Sequence, residues 1–335
     1  MSRVPRISLI TPSYQQAEYL EECLRSVHGQ GYPQLDHLVA DGGSTDGSKE
    51  IIKAYSGQLS WWCSERDKGQ SDSLNKALQH ASGEIFGWIN SDDLLLPGSL
   101  AHIGEVFSSD PDLLIYEGGR IILNADGSRV PAKGNDAKDR KQLFTRPCIN
   151  QQSTFYRMSA VKAAGGVDPA LHHVMDLELW WRILFMSGTD RIRIDGFPIA
   201  DFRMHEMSKT GQGLDPFIAE QAAILHSACT INGEMELAAI LACGHDLPQG
   251  SRPMDVSAGN RELVREMTLA FLLKWNKRIY NERQFRMMKA LLPIVDRAEL
   301  VAIDGQEIVA GLYDQLAPRN WLLFRASRKW EHLFG

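Results

Sequence analysis

Four clusters of polar residues each follow a short apolar segment in the first hundred residues. They are Thr11-Pro12-Ser13, Asp41 with its two following glycines, Glu65 to Gly69, and Asn90-Ser91-Asp92-Asp93. The last cluster sets two carboxylates beside a hydroxyl, a ligand set that suits Mg²⁺ or Mn²⁺ when substrate phosphates and water complete the shell. Asp41 is placed to accept hydrogen bonds from a ligand NH or OH, and the glycines allow close backbone approach.

Alternating strand and helix patterns separate these clusters. The predicted strands are Arg6 to Ile10, Leu35 to Ala40, Leu59 to Cys63, and Ile85 to Ile89. The predicted helices are Glu18 to Gly29, one through Ile51 and Tyr55 capped by Ser44-Thr45-Asp46, Asp72 to Ala81, and one opened by Pro97. This order predicts an α/β fold with a mostly parallel sheet and helices on both faces. Ligands of such sheets lie outside the carboxyl ends of the strands, so we expect one composite site.

The chain changes character after the fourth strand. We expect strands at Leu113 to Tyr116 and Arg120 to Leu123, a turn with a short return strand after Asn124, a strand at Ser153 to Tyr156, and a helix at Leu177 to Met186. Beyond about Leu214 the sequence is mostly helical. We therefore expect one domain over residues 1–212, with halves at 1–110 and 111–212, and a helical C-terminal region over 213–335.

Composition and missing motifs exclude several classes of protein. The 335 residues are 44% hydrophobic and 23% charged, which is typical of a globular chain. A net charge of −6 gives no electrostatic basis for binding nucleic acid. The five cysteines form no CxxC pair, and no apolar run is long enough to span a membrane, so we expect a reduced, cytoplasmic protein. Neither a GxGxxG fingerprint nor a GxxxxGK[ST] loop is present, which disfavours a dehydrogenase and a P-loop ATPase.

The motifs together resemble the family 2 glycosyltransferases of the GT-A fold. The resemblance covers about residues 5–210 and rests on Ile10 to Tyr14, Val39 to Ser48, Asp67 to Gln70, and Asn90 to Asp93. It implies that the residues binding the nucleotide-sugar include Thr11, Pro12, Ser13, Asp41, Gly43, Asp67, Lys68, Gly69, Asn75 and Ser91. It also implies a metal ligand at Asp92, since Asn90 stands where the family's DxD motif has its first aspartate. The alternative for Asp92 and Asp93 is that they cap the following helix.

A second set of motifs carries the resemblance further. Gly165 to Pro169 and Met175 to Arg182 are similar to the family's GGFD and ED-x-DLWLR segments, which implies that Asp176 is the catalytic base. Met175 replaces the usual glutamate, and Glu178 is the alternative base; either acid can instead cap the helix. Phe202 to Thr210 resembles the family's closing segment and implies His205 at the metal, with Arg203, Ser208 and Lys209 at the phosphates. Gln151 and Gln152 are the expected acceptor-binding residues.

The resemblance implies an inverting transfer of a sugar from a nucleotide-diphospho-sugar to a hydroxyl, with Mn²⁺ or Mg²⁺ as cofactor. We expect a UDP-sugar donor, a saccharide or lipid-linked saccharide acceptor, and a role in bacterial surface polysaccharide or glycoconjugate synthesis. The alternatives are a sugar nucleotidyltransferase and an inactive GT-A-like binding domain. Basic and aromatic residues alternate from Arg319 to Phe334, which fits either a helix on the inner face of an anionic membrane or one packed on the protein or a second copy.

Overall fold

The computed structural model describes residues 4–132, 134–136, 138–205, 208–209, 211, 213–254, 256 and 260–325. The chain divides into two compact units. The first contains Met1–Leu143 and Pro147–Leu214, and the second contains Phe144–Arg146 and Asp215–Gly335. The predicted division of the first domain into two halves stays a prediction.

A single sheet organises the first unit. Its strands are β1 (Ile7–Ser13), β2 (Leu35–Asp41), β3 (Trp61–Ser64), β4 (Ile85–Trp88), β5 (Leu94–Leu95), β6 (Ile115–Leu123), β7 (Arg129–Pro131), β8 (Thr154–Arg157) and β9 (Ile192–Arg203). They lie in the order β3-β2-β1-β4-β8-β6-β9-β5, and β7 pairs with β6. Strands β1 to β4 are mutually parallel, as are β6 and β9, whereas β8 runs antiparallel to both of its neighbours. The α/β prediction is confirmed, and the sheet is mixed.

Seven α-helices precede Asp215 in the part of the chain that the structure describes. They are α1 (Ala17–His28), α2 (Ser48–Tyr55), α3 (Gln70–Leu78), α4 (Ser99–Ser109), α5 (Gln142–Thr145), α6 (Met158–Ala163) and α7 (Met175–Ser187). The buried faces of α1 and α4 pack with β1 and β4 in one apolar core that includes Ile7, Val27, Ile85 and Phe107. Burial of side chains of this size contributes roughly 1.5–3 kcal/mol each, so this core fixes the strand ends at which the polar clusters begin.

Two predicted helix starts are wrong, and glycine explains both. Helix α4 begins at Ser99 because Gly98 has φ +82°, a left-handed conformation that leaves Pro97 outside the helix. Helix α2 begins at Ser48 after Gly47 at φ +102°. Asp46 instead accepts hydrogen bonds from the backbone N–H of Ala17 at 2.8 Å and of Ser48 at 3.1 Å, which ties α1 to α2.

The two strands predicted at 113–116 and 120–123 form one continuous strand, β6. Its pairing with β9 shifts register between Glu117 and Gly119 and again before Arg120. A Cβ at Gly118 would lie 2.4 Å from Ile199, and one at Gly119 would lie 2.9 Å from the carbonyl oxygen of Gly196. The two glycines therefore let β9 approach closely enough to keep the strand unbroken through the bulge.

The second unit is helical in the part of the chain that the structure describes. Its helices are α8 (Asp215–Ile231), α9 (Met235–Gly244), α10 (Arg261–Asn276), α11 (Glu282–Leu291), α12 (Arg297–Asp304) and α13 (Gln306–Leu316). Arg265 on α10 bonds to Glu299 at 2.7 Å and to Glu234 at 3.0 Å, joining three helices. Among the described residues, no helix combines the length and the apolar composition that crossing a bilayer requires.

Candidate active site

Asp41 ends β2 and organises the loop that follows it. Its buried carboxylate accepts hydrogen bonds from the backbone N–H of Gly43 at 3.2 Å and of Ser44 at 2.9 Å. The hydroxyls of Ser44 and Ser64 donate to it at 2.5 and 2.7 Å. Four donors of the chain thus hold this carboxylate in one orientation, and Oδ1, which takes only one of them, keeps room for a ligand donor.

The end of β1 lies beside this loop. Pro12 and Ser13 pair with Ala40 and Asp41 across the sheet. The Thr11 hydroxyl lies 3.0 Å from Nε2 of His37, and burial lowers the pKa of that histidine to about 3, so it is neutral. The Ser13 hydroxyl is buried without a hydrogen-bond partner among the described residues. The Thr-Pro-Ser segment is therefore rigid, and it offers a hydroxyl that a ligand can satisfy.

Asp67 lies in the loop before α3 and bonds to both the loop and the helix. Its carboxylate accepts from the backbone N–H of Gly69 at 2.8 Å and from the Ser73 hydroxyl. A Cβ at Gly42 would lie 2.9 Å from Oδ2 of Asp67, so this loop and the Asp41 loop are in close contact. The Lys68 side chain is exposed. The structure thus brings Asp41, Gly43 and the Asp67 to Gly69 segment to one edge of the sheet.

Asn75 has a different position from the one expected of a ligand-binding residue. Its amide N–H donates to the carbonyl oxygen of Val167 at 2.8 Å, and its carbonyl oxygen accepts from the Val167 N–H at 3.0 Å. Both ends of the side chain therefore brace α3 against the Gly165-Gly166-Val167 loop. We read Asn75 as a residue that holds the loop leading to α7.

Asp92 and His205 form the pair expected at a metal. Oδ2 of Asp92 lies 2.9 Å from Nε2 of His205, and both side chains are largely buried, with 16% and 11% exposure. The ring of Tyr19 packs against the imidazole with centroids 4.8 Å apart. Ser91 is buried beside them. The helix-cap reading of Asp92 has no support, because its carboxylate meets the end of β9.

Arg203 is fixed by several contacts. Its guanidinium donates to the carbonyl oxygen of Asp92 at 3.0 Å and to Glu22 at 2.6 Å, and it lies over the Tyr19 ring. Its own backbone N–H donates to Asp93 at 3.0 Å. Ser208 donates to the carbonyl oxygen of His205 at 2.7 Å and shapes that turn. Both residues support the Asp92–His205 pair in this arrangement.

An amide network, not readable from the sequence, joins the remaining expected residues. Asn90 accepts from Gln70 at 2.7 Å and donates to Gln151 at 3.2 Å, and the Lys209 ammonium donates to Gln70 at 2.7 Å. Gln151 also donates to the carbonyl oxygen of Trp88 at 2.8 Å. An aspartate at position 90 has no side-chain N–H to donate to Gln151. The asparagine amide is therefore needed for this hydrogen bond.

Asp176 lies in the first turn of α7, and its side chain is half-buried. Burial raises the pKa of this carboxyl group, and the backbone N–H of Leu177 and the charges of Lys209 and Arg120 offset part of that rise. A carboxylate whose proton affinity is raised is a better general base than a solvated one. Met175 is buried beside it and adds apolar surroundings.

The carboxylate of Glu178, the alternative base, is paired with Arg182. Its buried carboxylate accepts from Nε of Arg182 at 2.7 Å and from a second guanidinium nitrogen of the same residue. Arg182 also donates to the carbonyl oxygen of Gly166 at 3.0 Å. The pair ties α7 to the glycine loop, so the geometry favours Asp176 over Glu178 as the base.

Several buried polar atoms near these groups lack a hydrogen-bond partner among the described residues. They include Trp88 Nε1, Asp93 Oδ2, Asn150 Oδ1, Gln152 Nε2 and the Tyr156 hydroxyl. Burial, and then the negative charges of the nearby Asp176 and Glu117, raise the pKa of Tyr156. Orphaned buried groups are rare in proteins, and a bound polyhydroxylated ligand would satisfy several of them.

Residues 8–164 match the model for glycosyl transferase family 2. An uncharacterized glycosyltransferase of Rickettsia typhi is 24% identical over 219 residues, which span 63% of this chain and 68% of the relative. Residues 8–164 are therefore a family 2 glycosyltransferase domain. The structure of the chain is similar to residues 1–349 of Staphylococcus aureus TarS, solved in complex with UDP-GlcNAc, with a TM-score of 0.59 and 17% identity over 97% of this chain and 87% of that one. A mannosyltransferase from Pyrobaculum calidifontis, solved with GDP-Man and Mn²⁺, gives a TM-score of 0.50 and 16% identity over 93% of this chain and 87% of that one. These likenesses confirm the GT-A fold of this glycosyltransferase.

Proposed function

We propose that this glycosyltransferase moves a sugar from a nucleotide-diphospho-sugar to a hydroxyl acceptor with inversion, using Asp176 as the base and a divalent metal at Asp92. One observation carries the proposal. The charge of Arg120 acts on both Asp93, beside the Asp92–His205 pair, and Asp176. This common neighbour supports placing a carboxylate–imidazole pair suited to a metal diphosphate and a carboxyl group suited to deprotonating an acceptor in one site.

The donor set at the metal end fits Mn²⁺ or Mg²⁺. Among the described residues no group of three or more ligating side chains occurs, and Asp92 with His205 is a two-residue set. Divalent ions bound with nucleotides take one or two protein ligands and complete the shell with phosphate oxygens and water. Imidazole with carboxylate is a set that Mn²⁺ accepts. Bound there, the ion would offset the negative charge of the departing diphosphate.

The donor nucleotide extends from this end toward Asp41 in our proposal. Thr11, Pro12, Ser13 and Gly43 line that edge of the sheet, and the protein solved with UDP-GlcNAc, TarS, has the same fold. We therefore favour a UDP-sugar as donor. Arg203 donates to the carbonyl oxygen of Asp92, and Lys209 donates to Gln70, which bonds to Asn90. In our proposal both supply positive charge for the diphosphate once Glu22 and Gln70 release them.

Asp176 removes the proton from the acceptor hydroxyl as that oxygen attacks the anomeric carbon. One displacement by an oxygen on the face opposite to the leaving group inverts the configuration. Gln151 and Gln152, next to Trp88 and Tyr156, are proposed to contact the acceptor. We propose a saccharide or lipid-linked saccharide as acceptor, in bacterial surface polysaccharide or glycoconjugate synthesis on the cytoplasmic side of the membrane.

Nucleotide release tests the proposal. The purified chain is incubated with UDP-, GDP- and dTDP-sugars in Mn²⁺ and in EDTA, with a mixture of saccharide acceptors. We expect release from at least one donor in Mn²⁺, with loss in EDTA and in Asp92→Asn. A variant at the exposed Glu105 controls for charge removal in the same unit. Release of pyrophosphate from a sugar phosphate and a nucleoside triphosphate would instead identify a nucleotidyltransferase, and binding without turnover would identify an inactive domain.

A further inference from the structure

Arg120 lies on strand β6. It pairs with Ala200 on β9, and its guanidinium carbon lies 5.1 Å from the centre of the Phe202 ring. Phe202 and the metal-end residue Arg203 are consecutive on β9, so Arg120 is positioned just inside the metal end. The sequence carries no motif around Arg120 that would single it out.

The guanidinium of Arg120 has no hydrogen-bond or ion-pair partner among the described residues, and its Nε is buried. Neighbouring arginines are paired: Arg129 with Asp201, Arg182 with Glu178, and Arg203 with Glu22. A guanidinium has five N–H donors. A half-buried guanidinium without hydrogen-bond partners destabilises the protein, and a bound anion would remove that cost. Arg120 is therefore positioned for a partner that the described part of the chain does not provide.

Three carboxyl groups lie close enough to Arg120 for its charge to act on them, but none of them pairs with it in the described part of the chain. Burial raises the pKa of Asp93, Glu117 and Asp176, and the charge of Arg120 offsets part of each shift. Glu117 accepts from the backbone N–H of Asn135 at 3.2 Å and from its side-chain amide at 2.6 Å. None of the three lies within ion-pair distance of the guanidinium in the described part of the chain.

Arg120 also lines a cavity of about 460 Å³ between β6, the bulged part of β9, residues 131–132 and residues 134–135. Glu117 and Asp195 line it too, but Asp195 accepts from the Tyr116 hydroxyl at 2.8 Å and from the Phe197 N–H at 3.1 Å. Asn150 lines the same cavity, and its Oδ1 is buried without a partner among the described residues. The cavity is large enough for a small ligand, and Arg120 is its one cation among the described lining residues.

We propose that Arg120 binds an anionic group of the acceptor, a phosphate or a carboxylate, and so makes this enzyme selective for acidic saccharides. The inference rests on the proposed function. Arg120 lines the cavity, and its charge acts on the Asp176 carboxyl group. We therefore expect an acceptor whose hydroxyl is deprotonated by Asp176 to extend into this cavity. A planar guanidinium recognises either anion through two parallel hydrogen bonds.

Calorimetric titration of the full chain, saturated with UDP and Mn²⁺, tests this assignment. The probes are glucose 6-phosphate, methyl glucuronide and neutral methyl glucoside, and the variants are Arg120→Gln and the control Arg191→Gln. Arg191 is a half-exposed cation of the same unit that does not line the cavity. We expect wild type and the control to bind at least one anionic probe about 10-fold or more tighter than the glucoside, and Arg120→Gln to lose that preference.

The outcomes of this titration distinguish the assignment of Arg120 from its alternatives. Wild-type protein that binds all three probes equally, or an anion preference that survives in Arg120→Gln, would overturn the assignment. A loss of UDP affinity in Arg120→Gln with no anion preference would instead make Arg120 a donor-diphosphate residue. Failure of wild type to bind UDP would refute the proposed function itself. Should Arg120→Gln not fold, Arg120→Lys decides, because an undiminished preference without the planar guanidinium contradicts bidentate recognition.

Discussion

Glu117 should make the first unit less stable as the pH rises. Its side chain is fully buried on β6, and burial raises its pKa from 4.5 to about 7, against the hydrogen bonds from Asn135. The unfolded chain therefore releases this proton near pH 4.5 while the folded chain keeps it until about pH 7. Because the folded state binds more protons between these values, stability falls as the pH rises through that window and is level above it.

The size of the effect follows from the same two pKa values. Each pH unit of difference is worth about 1.4 kcal/mol, so the ionised Glu117 carboxylate costs the folded state about 3 kcal/mol above pH 7. The variant Glu117→Gln stays neutral. Its free energy of unfolding relative to wild type should rise by about 3 kcal/mol between pH 4.5 and pH 8.

Urea unfolding of both proteins at four or five pH values in this range measures that difference directly. Glu105→Gln, which removes an exposed carboxyl group from α4, is the control and should follow wild type within about 0.5 kcal/mol at every pH. A Glu117→Gln difference that is constant with pH, or one that shrinks as the pH rises, would refute the reasoning about burial.

Three further predictions concern individual contacts. Asp176→Asn should lower transfer about 10²- to 10⁴-fold at an unchanged melting temperature, and near-normal turnover would exclude it as the base. Glu178→Gln should instead cost about 3 kcal/mol of stability, because Arg182 loses its buried partner, while turnover per folded molecule is kept; a stable but inactive variant would move the base to Glu178. In the second unit Trp321 and Phe324 pack with Phe285, so deleting residues 318–335 should lower the melting temperature. Loss of binding to anionic liposomes with no thermal change would show a membrane anchor.

The α/β fold was predictable from sequence because strands and helices alternate and polar clusters follow each parallel strand. Apolar periodicity and strand-end chemistry are local properties, so β2 was predicted to within one residue. The predicted β1 ended at Ile10, three residues before its observed end at Ser13, because Thr11 to Ser13 continue the pairing with β2. Antiparallel β8 was not predictable as such, because pairing between β4 and β6 depends on contacts far apart in the chain.

The candidate site was only partly accessible from sequence for the same reason. Asp92 and His205 were expected together, but motifs do not reveal that Asn75 braces a loop or that Glu178 is held by Arg182. Nor do they reveal Arg120, whose neighbours come from β9 and α7. The hydrogen-bond and ion-pair partners of these side chains depend on tertiary geometry rather than on residue type.

The central claim is that one cleft has a metal–diphosphate end at Asp92 and a separate base at Asp176. Calorimetric titration of UDP with Mn²⁺ into wild type, Asp92→Asn and Asp176→Asn tests it most directly. We predict that wild type and Asp176→Asn bind UDP with equal affinity, and that Asp92→Asn, or wild type in EDTA, loses at least about 10-fold. Equal binding by Asp92→Asn and wild type, or loss of UDP binding in a folded Asp176→Asn, would contradict it.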